Sequence, residues 1–310
     1  MTPAEATVIF ETVHGSRAYG LATEASDTDL RGVFVPPAIA FVGFVETPDQ
    51  LEPSAERVLY EIRKLFRLAA ACNPTVIEVL YTDAADHVTL SAEGRRLLDR
   101  RGEFLSRLAG ESFGKYGLAQ LRRIRTHRRW LLSPPQGKPE RGSYGLPERA
   151  TMPRDEQGAV EAMLGDGRLA EAQLPVGFLD LLDRERRYRG ALREWQQYQE
   201  WTRSRNAARA ELERRHGYDT KHAMHLIRLL RMAVEILSTG KVLVRRPDAE
   251  DLLAIRKGHL TFEALLEQAE SLGAKLPALA EASSLPPRPD EGRLNVFCSE
   301  LVASVHGSTA

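Results

Sequence analysis

Cysteine is nearly absent, with only Cys72 and Cys298 in 310 residues. That scarcity excludes a disulfide framework, and neither thiol lies in a Cys/His cluster spaced as metal ligands. Net charge is absent as well: 43 Lys and Arg stand against 43 Asp and Glu. The chain therefore has no general electrostatic attraction for nucleic acid or membrane, and any basic surface must be local. No uninterrupted apolar run approaches the ~18 residues of a membrane-spanning helix. Residues 1–10 lack a basic-then-apolar leader pattern and carry Glu5. These absences predict a cytoplasmic protein without a membrane partner. What remains, 43% apolar and 28% charged, is the composition of a globular chain long enough for two cores, which excludes disordered and collagen-like classes.

The first eighty residues alternate β-rich runs with a turn-rich segment and one periodic helix. Strands are expected at 6–13, at 30–35, where Pro36-Pro37 ends the run, and at 57–62. A helix is expected over 64–71, with Asn73-Pro74 stopping it before a new start at Thr75. After Asp83, Leu, Ala, Glu and Arg recur at helical spacing: one or two helices over 104–132, long helical stretches over 180–215, a helix over 218–237 closed by Gly240, and two more over 249–280. Residues 133–153 hold five prolines and three glycines and predict a flexible loop that could lie across a cleft. The Pro286-Pro287 tail reads as a surface strap. The fold class is α+β, a small mixed-sheet domain at 1–83 followed by a mainly helical region at 84–310.

The chemistry concentrates in the segment His14-Gly15-Ser16-Arg17-Ala18-Tyr19-Gly20, followed by Ser26-Asp27-Thr28-Asp29-Leu30-Arg31-Gly32. On a strand, residues two apart share a face, so Asp27 and Asp29 would project their carboxylates side by side. Such like charges repel unless a divalent cation neutralises them, and Mg²⁺ takes oxygen ligands of this kind together with substrate phosphates. The Gly15-Ser16 turn supplies the complement, because glycine permits close backbone approach to a phosphate and the Ser16 hydroxyl can donate to it. Arg17 stands beside the turn and could assist. His14 reads as a shaper of the turn, with a general-base role the weaker alternative.

Gly-Ser, a spacer of ten residues and Asp-x-Asp resemble the signature of the DNA polymerase β-like nucleotidyltransferase superfamily. Further pieces resemble the YcgL-type predicted nucleotidyltransferases, including the RNA-ligase-associated nucleotidyltransferase group: Lys64-Leu65-Phe66-Arg67-Leu68, Asn73-Pro74-Thr75-Val76-Ile77-Glu78-Val79-Leu80, Lys221-His222-Ala223-Met224-His225-Leu226-Ile227-Arg228-Leu229 and Leu252-Leu253-Ala254-Ile255-Arg256-Lys257-Gly258. The resemblance implies a polymerase-β-type catalytic domain followed by a helical region. It also implies a third metal-binding carboxylate on a later strand, for which Glu61 is the candidate and Glu56 the alternative should the strand register differ.

Lys221, His225 and Arg228 share one helical face at i, i+4 and i+7 and suit a triphosphate, Lys221 first among them. The run 121–130 carries five arginines and no acid, which is either a phosphate-backbone surface or a helix whose arginines pair with acids elsewhere. Trp195, Tyr198 and Trp201 read as helix-contact residues, Cys72 as a core residue, and Asn73, Pro74 and Glu78 are assigned no chemistry. The expected activity is transfer of a nucleoside monophosphate from a nucleoside triphosphate to an acceptor hydroxyl with release of pyrophosphate, using Mg²⁺ or Mn²⁺. Asp27, Asp29 and Glu61 would hold metal, and Gly15, Ser16, Arg17, Lys221, His225 and Arg228 the nucleotide. An RNA 3′ end is the expected acceptor and an RNA ligase or other RNA-repair protein the expected partner. The alternatives are a small-molecule or protein acceptor, or a non-catalytic nucleotide- or RNA-binding regulator.

Overall fold

The computed structural model describes residues 6–24, 26–43, 47–150, 153–170, 174–205 and 207–307. Five strands form one mixed sheet: β1 (Thr7–His14), β2 (Asp29–Val35), β3 (Gln50–Ser54), β4 (Arg57–Glu61) and β5 (His87–Leu90), in the order β3-β4-β2-β1-β5. Among the described residues only the β2–β4 pairing is parallel, with Leu30 opposite Arg57 and Phe34 opposite Glu61. The three expected strands are present, each within two residues of its expected ends. β3 and β5 are additional; both are short, and each occupies an edge of the sheet, where pairing to a neighbour decides the strand.

The helices are α1 (Gly15–Ala18), α2 (Ile39–Val42), α3 (Ile62–Ala70), α4 (Pro74–Leu80), α5 (Ala92–Asp99), α6 (Leu108–Leu132), α7 (Arg154–Gly165), α8 (Val176–Ser204), α9 (Ala207–His216), α10 (Thr220–Thr239), α11 (Ala249–Arg256), α12 (Phe262–Ala282) and α13 (Glu291–Gly307). The expected punctuation is in place. Asn73 caps α4 by accepting from the Val76 amide at 3.3 Å, Pro74 occupies the first turn, and Gly240 ends α10 in the left-handed conformation.

The chain divides into two compact units, at different places from the expected boundary after Asp83. One comprises Met1–Arg125 together with Tyr218–Ala310, the other Thr126–Gly217. The physical reason is burial. The apolar face of α10, with Leu226, Ile227 and Leu230, shares one core with Phe10, Val33 and Leu65 of the sheet and α3, so the helices from Tyr218 onward complete the sheet-bearing unit instead of forming a separate helical domain. Pro286 is a strap as expected: its carbonyl accepts from the Arg107 amide at 2.9 Å.

In the second unit the expected loop, described over 133–150, is fastened to α8. Arg141 pairs with the buried Glu185 and donates to the Pro147 carbonyl at 2.6 Å. Tyr198 and Trp201 pack on Trp130, with ring centroids 5.8 and 5.4 Å away, as helix-contact residues. Trp195 instead borders a cavity of about 470 Å³ walled by the 133–144 segment.

Packing of α5 on β1 leaves no room at Gly94, where an added Cβ would lie 2.1 Å from the Ile9 carbonyl oxygen. Because that neighbour is ladder backbone, Gly94→Ala is expected to lower stability by about 1–3 kcal/mol despite the better helix propensity of alanine, read as a reduced urea midpoint.

Candidate active site

β1 ends at His14 directly opposite Asp29, the first residue of β2. Between them the chain makes the Gly15–Ala18 turn, with Gly15 at φ +70°. A Cβ on Gly15 would lie 2.6 Å from Asp29 Oδ2, so glycine is required here by its conformation and by the nearness of the carboxylate. The structure thus joins the two halves of the sequence motif. Ser16 is half-buried, and among the described residues its hydroxyl has no hydrogen-bond partner.

Asp27 and Asp29 are not strand neighbours as expected. Asp27 is exposed in the turn ahead of β2, held out of the ladder by Arg17, which donates to the Asp27 carbonyl at 3.1 Å and to the Ser26 carbonyl at 2.7 Å. Arg17 is therefore a fastener of the carboxylate-bearing turn. Asp29 is half-exposed and pairs with Arg31 at 3.4 Å.

Glu61 does not join them. By the β2–β4 register Asp29 lies level with Glu56, and Glu61 is five positions further along, roughly 16 Å at 3.3 Å per residue. The Glu61 carboxylate is buried, capping α3 through the Lys64 amide at 3.1 Å and pairing with Arg63 at 2.8 Å. Glu56 is exposed beside β2, its carbonyl accepting from the Leu30 amide at 2.7 Å. Among the described residues no third acidic, His or Cys donor lies within ligand spacing of Asp27 and Asp29.

Beneath the turn is a buried polar network that the sequence reading missed. Glu78 of α4 accepts from Tyr19 at 2.5 Å and from Arg228 of α10 at 2.5 Å. His14 Nε2 lies 3.6 Å from Glu78 and 3.3 Å from the Tyr19 hydroxyl, and the Arg228 guanidinium stacks 4.0 Å over the Tyr19 ring. Burial opposes a charge on Glu78, but Arg228, His14 and Tyr19 outweigh it and bring its pKa down to about 2. Burial and the Glu78 charge push the Tyr19 hydroxyl well above its ordinary range. His14 is thus a shaper of the turn. The available signal was a single glutamate in the apolar run Val76-Ile77-Glu78-Val79-Leu80 and a single arginine in Leu226-Ile227-Arg228-Leu229-Leu230: a lone charge on a core face implies a buried partner.

The stripe of Lys221, His225 and Arg228 descends from surface to core. Lys221 is exposed, His225 half-buried and Arg228 buried, so Arg228 is a partner of Glu78, not an open phosphate ligand. Two links to backbone carbonyls add to the hold on the turn: the Arg246 amide donates to the Tyr19 carbonyl at 3.0 Å and the Arg256 guanidinium to the Leu21 carbonyl at 3.2 Å. Arg246 is itself fixed by Glu235 at 2.6 Å and Asp248 at 2.8 Å.

Burial, with the cations Arg228 and Lys221 nearby, lowers the His225 pKa from 6.5 to about 3, so the imidazole is neutral near pH 7. Unfolded chains take up a proton through pH 6.5 and the folded protein does not until about 3, so this group removes stability as pH falls across that window. His225→Gln is expected to lose less stability than wild type between pH 7 and pH 5, read from paired urea melts. The corresponding loss at Glu78 starts only near its ordinary pKa of 4.5, leaving the histidine effect separable.

No curated protein and no solved structure matches the chain. Residues 2–131 match the model of the RNA repair pathway DNA polymerase beta family. That stretch contains the whole sheet, the Gly-Ser turn, both aspartates, Glu56, Glu78 and the arginine run, while Lys221, His225 and Arg228 lie beyond it.

Proposed function

We propose that the protein is a metal-dependent nucleotidyltransferase that moves a nucleoside monophosphate from a nucleoside triphosphate to an acceptor hydroxyl, releasing pyrophosphate, with an RNA 3′ end as acceptor. The observation that carries the reading is the contact of Gly15 with the Asp29 carboxylate: a turn suited to phosphate and a carboxylate suited to a cation occupy one place. Asp27 and Asp29 offer hard oxygen donors on the open side of that turn, the donor type Mg²⁺ or Mn²⁺ requires. A bound cation would supply Lewis-acid activation of the acceptor hydroxyl and charge neutralisation on the triphosphate.

The chain's own residues do the remainder. Gly15 lets the backbone approach the phosphates, and Ser16 offers an unengaged hydroxyl. Lys221, exposed on the first turn of α10 and without an ion pair among the described residues, adds positive charge. His225, neutral, serves as a hydrogen-bonding group rather than a cation. Glu78 and Arg228 hold Tyr19 and His14, and with them the turn, in place. Glu56, level with Asp29, is the carboxylate best placed to become the third oxygen donor once the exposed segment before β4 adjusts.

Support for an RNA acceptor comes from α6. Arg129 pairs with Glu194 at 2.6 Å and Arg128 donates to the Gly217 carbonyl at 2.9 Å, but Arg122, Arg123 and Arg125 are exposed and form no ion pair among the described residues. Open guanidiniums on one helix are what contact with a phosphate backbone uses. The match to a family of an RNA repair pathway points the same way and supports RNA-repair proteins as partners.

The activity is tested by pyrophosphate release with each ribonucleoside triphosphate, Mg²⁺ or Mn²⁺, and labelled RNA bearing a 3′ hydroxyl. Asp27→Asn and Asp29→Asn are expected to abolish release and Glu56→Gln to reduce it at least tenfold, all three with unchanged melting. Glu61→Ala is expected to retain turnover while losing about 0.5–2 kcal/mol as a broken helix cap. Full activity in pure Asp29→Asn protein would sink the metal assignment; release without RNA extension would turn the search to small-molecule or protein acceptors. Replacing Arg122, Arg123 and Arg125 together by Gln should flatten the dependence of log K on log salt for single-stranded RNA by about 2, from roughly 0.7 per phosphate contact. An unchanged slope would remove α6 from the interface.

A further inference from the structure

A second cavity, of about 710 Å³, opens in the first unit between α3 and α13 near the start of α6. It shares no lining residue with the Gly-Ser turn or the Asp-x-Asp segment. Its floor is apolar and fixed, since Phe66 packs edge-on against Phe104 at a centroid distance of 5.0 Å and tilted against Phe297 at 5.7 Å. Beside the small Ala70 and Ala71 it forms a patch that side chains do not fill.

Its rim is cationic and adjustable. Arg63 is held by Glu61 and lies 4.6 Å over the Phe41 ring. Arg67 is freer: its pair with Asp49, at 3.3 Å with both side chains over 60% exposed, belongs to a class of contact worth little, so an anion could take its place. Arg288 is exposed and has no ion pair among the described residues. The one acidic lining residue is Glu291.

Guanidiniums bind phosphate bidentately and also stack on planar rings, and an apolar floor excludes a bare inorganic anion as the best-fitting occupant. A pocket of this size accommodates one small organic ligand. We propose that this cavity binds a 5′-phosphorylated nucleoside, its phosphate held by Arg67 and Arg288 and its base laid on the floor at Phe66, at a site separate from the one that carries transfer. The shared chemistry has two sources, a free nucleoside monophosphate or the 5′-phosphate end of an RNA strand.

The test uses the full chain in chelator, so that metal-dependent binding at Asp29 is silent. Cys298 lines the cavity and is 8% exposed whereas Cys72 is fully buried, so alkylation reports on this site. Adenosine 5′-monophosphate is expected to slow Cys298 alkylation at least fivefold and to bind with a calorimetric signal that persists in Asp29→Asn. The double variant Arg67→Gln, Arg288→Gln should weaken binding at least tenfold with unchanged melting and unchanged pyrophosphate release, and adenosine should bind at least tenfold more weakly. Comparing 5′-phosphorylated with 5′-hydroxyl oligoribonucleotides against the free nucleotide assigns the source: tighter binding of the 5′-phosphorylated strand makes it an RNA end, and preference for the free nucleotide makes it a small-ligand site. Unprotected Cys298, binding indifferent to the arginine pair, or binding lost in Asp29→Asn would each overturn the proposal. None of these outcomes bears on the transfer reaction, which is read separately.

Discussion

Arg228 and Glu78 form an ion pair with both side chains at or below 5% exposure. Removing two charges from water costs several kcal/mol per ion, and their attraction returns that only with close geometry and further hydrogen bonds. Both conditions hold, because Tyr19 donates to the same carboxylate and the guanidinium stacks on its ring. The pair joins residues 150 positions apart in sequence, on α4 and α10, and ties both helices to the Gly15–Ala18 turn through Tyr19 and His14. Its contribution is best understood as specificity: α10 has one register in which Arg228 meets Glu78, and any other leaves a buried charge unpaired.

Strand register exerts the second constraint. In a parallel pair every position of one strand has a fixed level on the other, so once Leu30 faces Arg57 the fate of both candidate glutamates is decided. Glu56 falls beside Asp29, while Glu61 falls at the far end where α3 begins, and there a carboxylate is used as a cap. The opposite face of the sheet shows the same economy of charge. Glu11, opposite Gly32, is buried against Arg57, which holds it through two bonds at 2.6 and 3.1 Å, and the small cluster of Phe34, Leu51 and Leu59 covers that side.

Local signals in the sequence carried what depends on local chemistry. The strands at 30–35 and 57–62, the Asn73-Pro74 start and the Gly240 stop follow from turn residues and periodicity, and the structure has them. The Gly-Ser and Asp-x-Asp motif was legible because its spacing is local. Pairing across long sequence separations was not. β3 and β5 lack pattern and exist because an edge of the sheet accepts them. α13 was not expected, since its helix is fixed by packing Leu294, Phe297 and Leu301 into the common core. Glu78 was assigned no chemistry because its partner lies on α10, and Glu61 was the candidate third ligand because the resemblance asks for a carboxylate on a later strand while the sequence does not give that strand's level. Arg17 beside the turn suggested phosphate, yet its reach is spent on the Ser26 and Asp27 carbonyls.

Composition was silent on recognition for a related reason. Equal numbers of cations and anions make the molecule neutral as a whole, but they leave its surface neutral everywhere only if the charges are evenly paired, and they are not. Arg57, Arg141, Arg228 and Arg246 are each consumed by buried or half-buried acids, which leaves their fields closed. Arg122, Arg123 and Arg125 share a helix on which the nearest acids are absent from 121–130, so their field reaches solvent over a Debye length of roughly 8–10 Å. A neutral chain can therefore present a basic surface without the general stickiness that a high net charge brings, because attraction for a polyanion is confined to the places where pairing has been withheld.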